Sequence, residues 1–389
     1  MVEVRRILNV ELETGQSAFL WGARKAGKST YLKQAFPHSI VYDFLRTDVA
    51  FDFIRNPALL RERLLADRER ATRSPVILDE VQKVPAILDE VHWLIENAGL
   101  NFVLCGSSAR KLVKGGANLL GGRAWRFEMF PFVFPEIEQF DLLRVLNQGL
   151  LPSHYLQRRN YERSLRAYTQ DYLKEEVFSE GLVRNIPAFS RFFEAMGYSH
   201  GELINYANIG RDCGVDAKTV KEYFQILVDT LLGAYVSPYK RRQSRQVISK
   251  ASKFYLFDVG IAGHLGKRRL TEARGEQFGK ALEHFIFMEL NAHRAYRELH
   301  YEINFWRTKS GQEVDFILGG GEVAIEVKGS SRINNSDLKS MQAFYDEFRP
   351  RLGIVVSNEK HERKIGDILV LPWRNFLDRL WGGELFPGD

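Results

Sequence analysis

The strongest constraint on this chain is an octet set between a short apolar run and a helical stretch: GARKAGKS at residues 22–29, preceded by SAFLW and followed by TYLKQAF. It fits G-x-x-x-x-G-K-[ST], and a strand before with a helix after is the setting that pattern requires. Glycines let the backbone curl around a phosphate with its N–H groups pointing inward. The helix N-terminus adds a partial positive charge. Lys28 then reaches the β- and γ-phosphates of ATP, and the Ser29 hydroxyl is a ligand for Mg²⁺. The expected nucleotide contacts are Gly22, Ala23, Arg24, Lys25, Ala26, Gly27, Lys28, Ser29 and Thr30.

The surroundings agree. Apolar runs recur at 17–22, 39–44, 75–80 and 101–106, with helical segments expected at 28–36, 58–73 and 86–97. The runs are apolar on both faces, as strands buried in a parallel sheet are. Their alternation with helices predicts an α/β, doubly wound parallel sheet, closed by a fifth strand near 125–129. The run PVILDE ends in Asp79 and Glu80, at the carboxyl end of a strand, where such sheets bind ligands. Asp79 is expected to hold Mg²⁺ through water, and Glu80 to orient and polarise an attacking water.

The 389 residues exceed one ordinary domain. Pattern changes divide them near 150 and 267, giving segments 1–150, 151–267 and 268–389. With 45% hydrophobic and 27% charged residues, each can bury a core. Cys105 and Cys213 stand far apart and form no disulfide framework, which suits a reducing compartment. No apolar run reaches the roughly 18–20 residues that span a bilayer, and the N-terminus lacks the apolar stretch of a signal peptide. The expectation is a cytoplasmic protein with no membrane segment. A net charge of +6 favours acidic partners, nucleic acid first.

In the middle segment, 201–215 reads as helix and turn, and 216–232 as a second helix with Asp216 as its N-cap. Strands follow at 233–239 and 252–258. Helix, turn, helix, hairpin is a winged-helix order. The stretch 239–253 holds Lys240, Arg241, Arg242, Arg245, Lys250 and Lys253 without an acid. As a wing it would project these charges toward DNA phosphates, with Lys218, Thr219, Lys221 and Gln225 of the second helix alongside. The same charges also fit a solvated hairpin that discourages edge pairing, or a protein interface.

In the last segment a long helix is expected at 279–297 and strands at 303–307, 313–318, 323–328 and 352–356. If Gly320 and Gly321 form a two-residue turn, Asp315 falls opposite Glu326 and Glu313 opposite Lys328. One hairpin face is then Val314, Phe316, Leu318, Val323, Ile325 and Val327. The other carries Glu313, Asp315, Glu322, Glu326 and Lys328. Opposed carboxylates repel at about 4.5–5.5 Å between Cβ atoms unless a cation or proton lies between them. A divalent metal on Asp315 and Glu326 answers this, with Lys328 beside it to activate water. An amphipathic strand pair with a merely solvated outer face is the competing reading.

The order of motifs then resembles a family. GARKAGKS, VILDEVQKVP, LCGSSARKL, LLGGRAWRFEMFPFVFPE, YLKEEV, CGVDAKTVKEYFQILVDTLL, KFYLFDVG and EVDFIL…AIEVKGS are similar to those of bacterial and archaeal AAA-type ATPases. These join a P-loop domain to a winged-helix segment and a C-terminal restriction-endonuclease-like domain. The resemblance implies ATPase chemistry at Lys28, Ser29, Asp79 and Glu80. It implies a γ-phosphate sensor at Ser107, which otherwise reads as near a helix N-cap. It implies an arginine finger at Arg123, which otherwise reads as a surface residue beside a Gly-Gly turn. A finger acts in trans, hence an expected homo-oligomer, possible as a ring, and is worth about 10³–10⁵ in rate. It further implies a nuclease site of Asp315, Glu326 and Lys328 joined by Glu283 from the long helix. Three functions follow: an ATP-driven, DNA-associated nuclease; a signalling-type regulatory ATPase whose C-terminal domain does not cut; and a nucleic-acid binder whose affinity ATP controls.

Overall fold

A computed structural model describes residues 4–13, 15–107, 112, 120–157, 159–172, 185–240 and 251–385. The chain forms two compact units. One comprises Glu3–Phe132 with Asp229–Leu232; the other comprises Met1–Val2, Val133–Val228 and Gly233–Asp389.

The first unit is built on a parallel sheet of β1 (Ser17–Trp21), β2 (Val41–Asp43), β3 (Val76–Asp79), β4 (Phe102–Gly106) and β5 (Ala124–Glu128), in the order β2-β3-β4-β1-β5. Every residue of β1, β3 and β4 is buried, because helices cover both faces of a parallel sheet. Phe19, Leu78 and Leu104 meet Val91 and Leu94 of the helix Ile87–Ala98 in one core. Gly99, left-handed at φ 66°, ends that helix. The helix expected over 58–73 breaks into Leu59–Ala66 and Arg68–Ala71. An additional helix, Thr47–Arg55, follows β2.

In the second unit β6 (Gly233–Pro238), β7 (Lys253–Leu256), β8 (Ile303–Arg307), β9 (Glu313–Leu318), β10 (Val323–Lys328), β11 (Leu352–Ser357), β12 (Arg363–Ile365) and β13 (Ile368–Pro372) make one mixed sheet. Its order is β12-β13-β11-β10-β9-β8-β6-β7. The helix Glu276–Tyr296 lies on one face, with Phe287 against Tyr255 and Phe316. The helix Lys339–Phe348 lies on the other, its Met341 and Phe344 packed with Trp306, Val314, Ile317 and Ala324. The helices Tyr206–Cys213 and Ala217–Asp229 meet at a tight turn. Gly214 is left-handed there, and Asp216 Oδ1 accepts the Thr219 N–H at 2.7 Å, capping the second helix as expected. The order helix, turn, helix, hairpin is present. Its hairpin does not stand alone: β6 pairs in parallel with β8, so the sheet runs across residue 267.

Two expectations about the β9–β10 hairpin are corrected. The register is the expected one, Leu318 with Val323 through Phe316 with Ile325. The connection, however, is a 3₁₀ turn over Gly319–Gly321 with Gly320 left-handed, rather than a two-residue turn. The strict alternation also fails. On β8, Asn304 pairs with Ile317 but Trp306 with Val314, so β8 spends one residue where β9 spends two. This β-bulge at Asp315 and Phe316 puts Val314 in the cluster with Ile317 and Ala324, while Phe316 faces Tyr255 and Phe287 on the opposite side.

Candidate functional site

The carboxyl ends of β1, β3 and β4 share one edge of the first sheet and bring the expected nucleotide residues together. Gly22 follows β1, and a Cβ there would run into the Met129 carbonyl oxygen, so the loop starts where only glycine fits. Gly27 is left-handed at φ 100° and leads into the helix Lys28–Ala35. Lys28 is buried and donates to the carbonyls of Gly22 (2.6 Å) and Ala23 (3.1 Å). Ser29 Oγ donates to Asp79 Oδ2 at 2.5 Å, while Asp79 Oδ1 is buried without a hydrogen-bond partner. A buried carboxylate oxygen left bare next to a hydroxyl, a helix N-terminus and a lysine fits a magnesium ion carrying phosphate oxygens.

Glu80 sits at φ 59°, a left-handed position uncommon for a non-glycine residue and often tied to function. Burial raises its carboxyl pKa, with Lys28 and Arg24 opposing. Gln82 Nε2 donates to Glu80 Oε2 at 2.5 Å and to Ser107 Oγ at 3.3 Å, so one amide links the acid to the end of β4. Sequence reasoning passed over Gln82. Its signal was a polar amide two residues beyond Glu80, close enough in sequence to reach that acid. Arg123 lies apart from this group, its Nε donating to Glu96.

In the second unit the expected carboxylates are buried rather than solvated: Asp315 is 8% exposed and Glu326 3%. The β9–β10 ladder stops at Phe316, and Asp315 reaches across with its side chain, Oδ2 accepting the Val327 N–H at 2.7 Å. Lys328 Nζ donates to Glu326 Oε1 at 2.5 Å, and Glu326 Oε2 has no partner. The expected pair of Glu313 with Lys328 does not form. Glu313 instead meets Arg307 Nη1 at 2.7 Å and Lys253 Nζ at 2.5 Å.

Lys253 is the larger correction. Read from sequence as part of a projecting basic wing, it is 3% exposed. Its ammonium lies 3.1 Å from Glu283 Oε1 and 3.9 Å from Asp315 Oδ1 as well as against Glu313. As the first residue of β7 it points into the sheet's carboxylates. Tyr255 OH also donates to Glu283. Burial lowers the Lys253 pKa, but Tyr255, Glu283, Asp315 and Glu313 outweigh it and hold the pKa well above the usual value. Burial raises Asp315, helped by Glu326 and Glu283, and pushes Glu326 to about 7 against Lys328. Among the described residues, no three His, Cys, Asp or Glu side chains are grouped to hold a metal ion. With Lys253 in place, this donor set does not fit one.

Of the expected nucleic-acid residues, Lys218, Lys221 and Lys240 are exposed, and Lys221 Nζ stands 5.2 Å from the Tyr206 ring centroid. Arg241, Arg242 and Arg245 lie outside the described residues, as does most of the YLKEEV stretch. Among the described residues no helix is long and apolar enough to cross a membrane.

Comparison with known proteins gives three family matches in succession. An AAA domain covers residues 14–138, a domain of unknown function (DUF8612) covers 139–272, and another (DUF4143) covers 278–376. The first unit is a P-loop domain of the AAA type. An uncharacterized protein of Mycobacterium tuberculosis is 25% identical over 308 residues, spanning 76% of this chain and 67% of that protein. An uncharacterized protein of Methanocaldococcus jannaschii is 22% identical over 345 residues, spanning 82% and 75%. Among solved structures, the ORC1 protein of Aeropyrum pernix in complex with DNA matches with 13% identity and a TM-score of 0.28, over 65% of this chain and 86% of that one. A TM-score of that size carries no argument.

Proposed function

We propose that this chain binds and hydrolyses ATP at residues 22–30 and associates with DNA through basic residues of its middle segment. The first half rests on one observation: Lys28, Ser29, Asp79 and Glu80 converge on one sheet edge, with Asp79 Oδ1 buried and bare beside the Ser29 hydroxyl. Ser29 and Asp79 would hold Mg²⁺, which offsets phosphate charge. Lys28 would leave the Gly22 and Ala23 carbonyls for the phosphates. Glu80, its pKa raised by burial, suits the role of taking a proton from an attacking water, and Gln82 holds it in place. Ser107 would sense the γ-phosphate through Gln82. Arg123 would complete the site of a neighbouring copy in a homo-oligomer. The test is phosphate release. Lys28→Ala is expected to lose at least about a hundredfold in turnover. Glu80→Gln is expected to lose turnover while still binding ATP. Two variants that hydrolyse normally would sink the reading.

DNA association is supported by the net charge of +6 and by Lys218, Lys221 and Lys240 on the surface, with Arg241, Arg242 and Arg245 adjoining in sequence. In this reading residues 151–267 are the helical and winged-helix part, and 268–389 the restriction-endonuclease-like part. Cleavage by Asp315, Glu326, Lys328 and Glu283 is a second reading, favoured by the bare, buried Glu326 Oε2. It requires the Lys253 ammonium to leave. DNA that stays intact with Mg²⁺ or Mn²⁺, or nicking indifferent to Asp315→Ala, would reject it. The signalling-type ATPase with a non-cutting C-terminal module would then be favoured.

A further inference from the structure

The carboxylate cluster of the second unit draws on three elements besides β7: Glu283 from the helix Glu276–Tyr296, Glu313 and Asp315 from β9, and Glu326 from β10. Four acids in one buried place cannot all ionise without positive charge nearby. The chain supplies it. Arg307 and Lys253 meet Glu313, Lys253 also meets Glu283 and approaches Asp315, and Lys328 meets Glu326. Three cations face four acids, and burial raises the carboxyl pKa of both Asp315 and Glu326, which lessens the charge left over.

Of these cations Lys253 holds the central place. Arg307 and Lys328 each meet one carboxylate and are about one-third exposed, whereas Lys253 is buried and meets carboxylates from two elements. Its aliphatic stem offers no oxygen ligand, and its ammonium lies 5.7 Å from the Phe305 ring centroid. Taking an ammonium out of water is strongly unfavourable, so a solvated hairpin charge would not sit here without its acidic partners.

We infer that Lys253 is the resident cation of this cluster: its ammonium stands between Glu283 and Asp315 where a divalent ion would have to stand, and deleting it turns a lysine-held joint into a site for an oxygen-ligated divalent metal. The inference bears on the nuclease reading without resting on it, because metal uptake is read directly and needs no cleavage.

The experiment is a Mn²⁺ titration of the full chain without nucleotide, followed by electron paramagnetic resonance, with near-ultraviolet circular dichroism checking the fold. Four proteins are compared: wild type, Lys253→Ala, Lys253→Ala with Glu313→Gln, and Lys253→Ala with Asp315→Asn. The Glu313→Gln pair removes one acid along with the ammonium. It keeps Glu283, Asp315 and Glu326 in a chain better able to fold should Lys253→Ala alone fail. The Asp315→Asn pair identifies ions bound elsewhere, such as at Asp79. The expected result is one Asp315-dependent Mn²⁺ per chain in the lysine-deleted proteins, at least roughly tenfold tighter than any in wild type. Two results would overturn the inference: wild type binding a Mn²⁺, beyond those the Asp315→Asn protein keeps, as tightly as the variants do, or folded variants that lack Lys253 and keep Asp315 gaining no site. DNA nicking, measured separately on the same proteins, decides the nuclease reading alone.

Discussion

Both units gather acids and a lysine at strand ends, and they use the lysine in opposite ways. In the P-loop unit Lys28 rests on two backbone carbonyls, and Asp79 keeps an oxygen with no hydrogen-bond partner. The charge there meets main-chain oxygens rather than a carboxylate. In the second unit Lys253 lies directly against Glu313 and Glu283, and that charge is already used. The number of acids does not say whether a cluster will take a cation. What decides it is whether the fold has supplied one of its own.

The largest expected effects come from truncating the two lysines in parallel. Lys28→Met should cut ATP turnover by about a hundredfold or more while shifting thermal stability by no more than about 1 kcal/mol. Lys253→Met should do the reverse, leaving turnover near wild type and costing about 3–5 kcal/mol of stability, as loss of one partner from a buried ion pair does. Phosphate release and denaturant titration measure the pair. A Lys28→Met protein that unfolds, or a Lys253→Met protein that melts like wild type, would break the contrast.

A further set of shifts should appear in the pH dependence of the second unit's buried groups. Burial lowers the His284 pKa to about 3, the Leu256 carbonyl opposing. The ring is therefore neutral in the fold, and its contribution is lost as pH falls from the unfolded value near 6.5 toward 3. His284→Gln should gain on wild type between pH 7 and 4. Glu289 has the opposite sign. Burial pushes its pKa to about 8 against the Trp381 indole and the Phe134 N–H, so stability is lost as pH rises from about 4.5 to 8. Glu289→Gln should gain on wild type across that range. Parallel curves for wild type and either variant would contradict the assignment.

The two sites differ just as much in how far sequence alone reveals them. The phosphate loop is legible because its demands are local: a strand, glycines at fixed offsets, a lysine and a hydroxyl, all within a few residues. The core of the sheet followed for the same reason, β1, β3 and β4 each being a short, largely apolar run. Lys253 was not legible, because nothing in YKRRQSRQVISKASK separates its last lysine from the others, and its partners stand 30 to 62 residues away. The hairpin register came out as expected because the observed turn is centred on the same glycines, although it is not the two-residue turn; the bulge was not legible, since it depends on pairing with β8. Signals also went unused. Trp373, Phe376, Leu377, Leu380 and Trp381 carry the spacing of the final helix, and ILVLP carries that of β13.

The bulge at Asp315 and Phe316 has a consequence for how lineages of this chain could drift apart. Loss of a single codon at that point would let β8 and β9 pair as an unbroken ladder, so the sheet could survive the deletion. The carboxylate now bonded to the Val327 amide would be gone or turned away, and Lys253 would face a depleted set of acids. Descendants could thus keep the architecture while losing this chemistry in one step, and a length difference of one residue in that strand would mark where it happened.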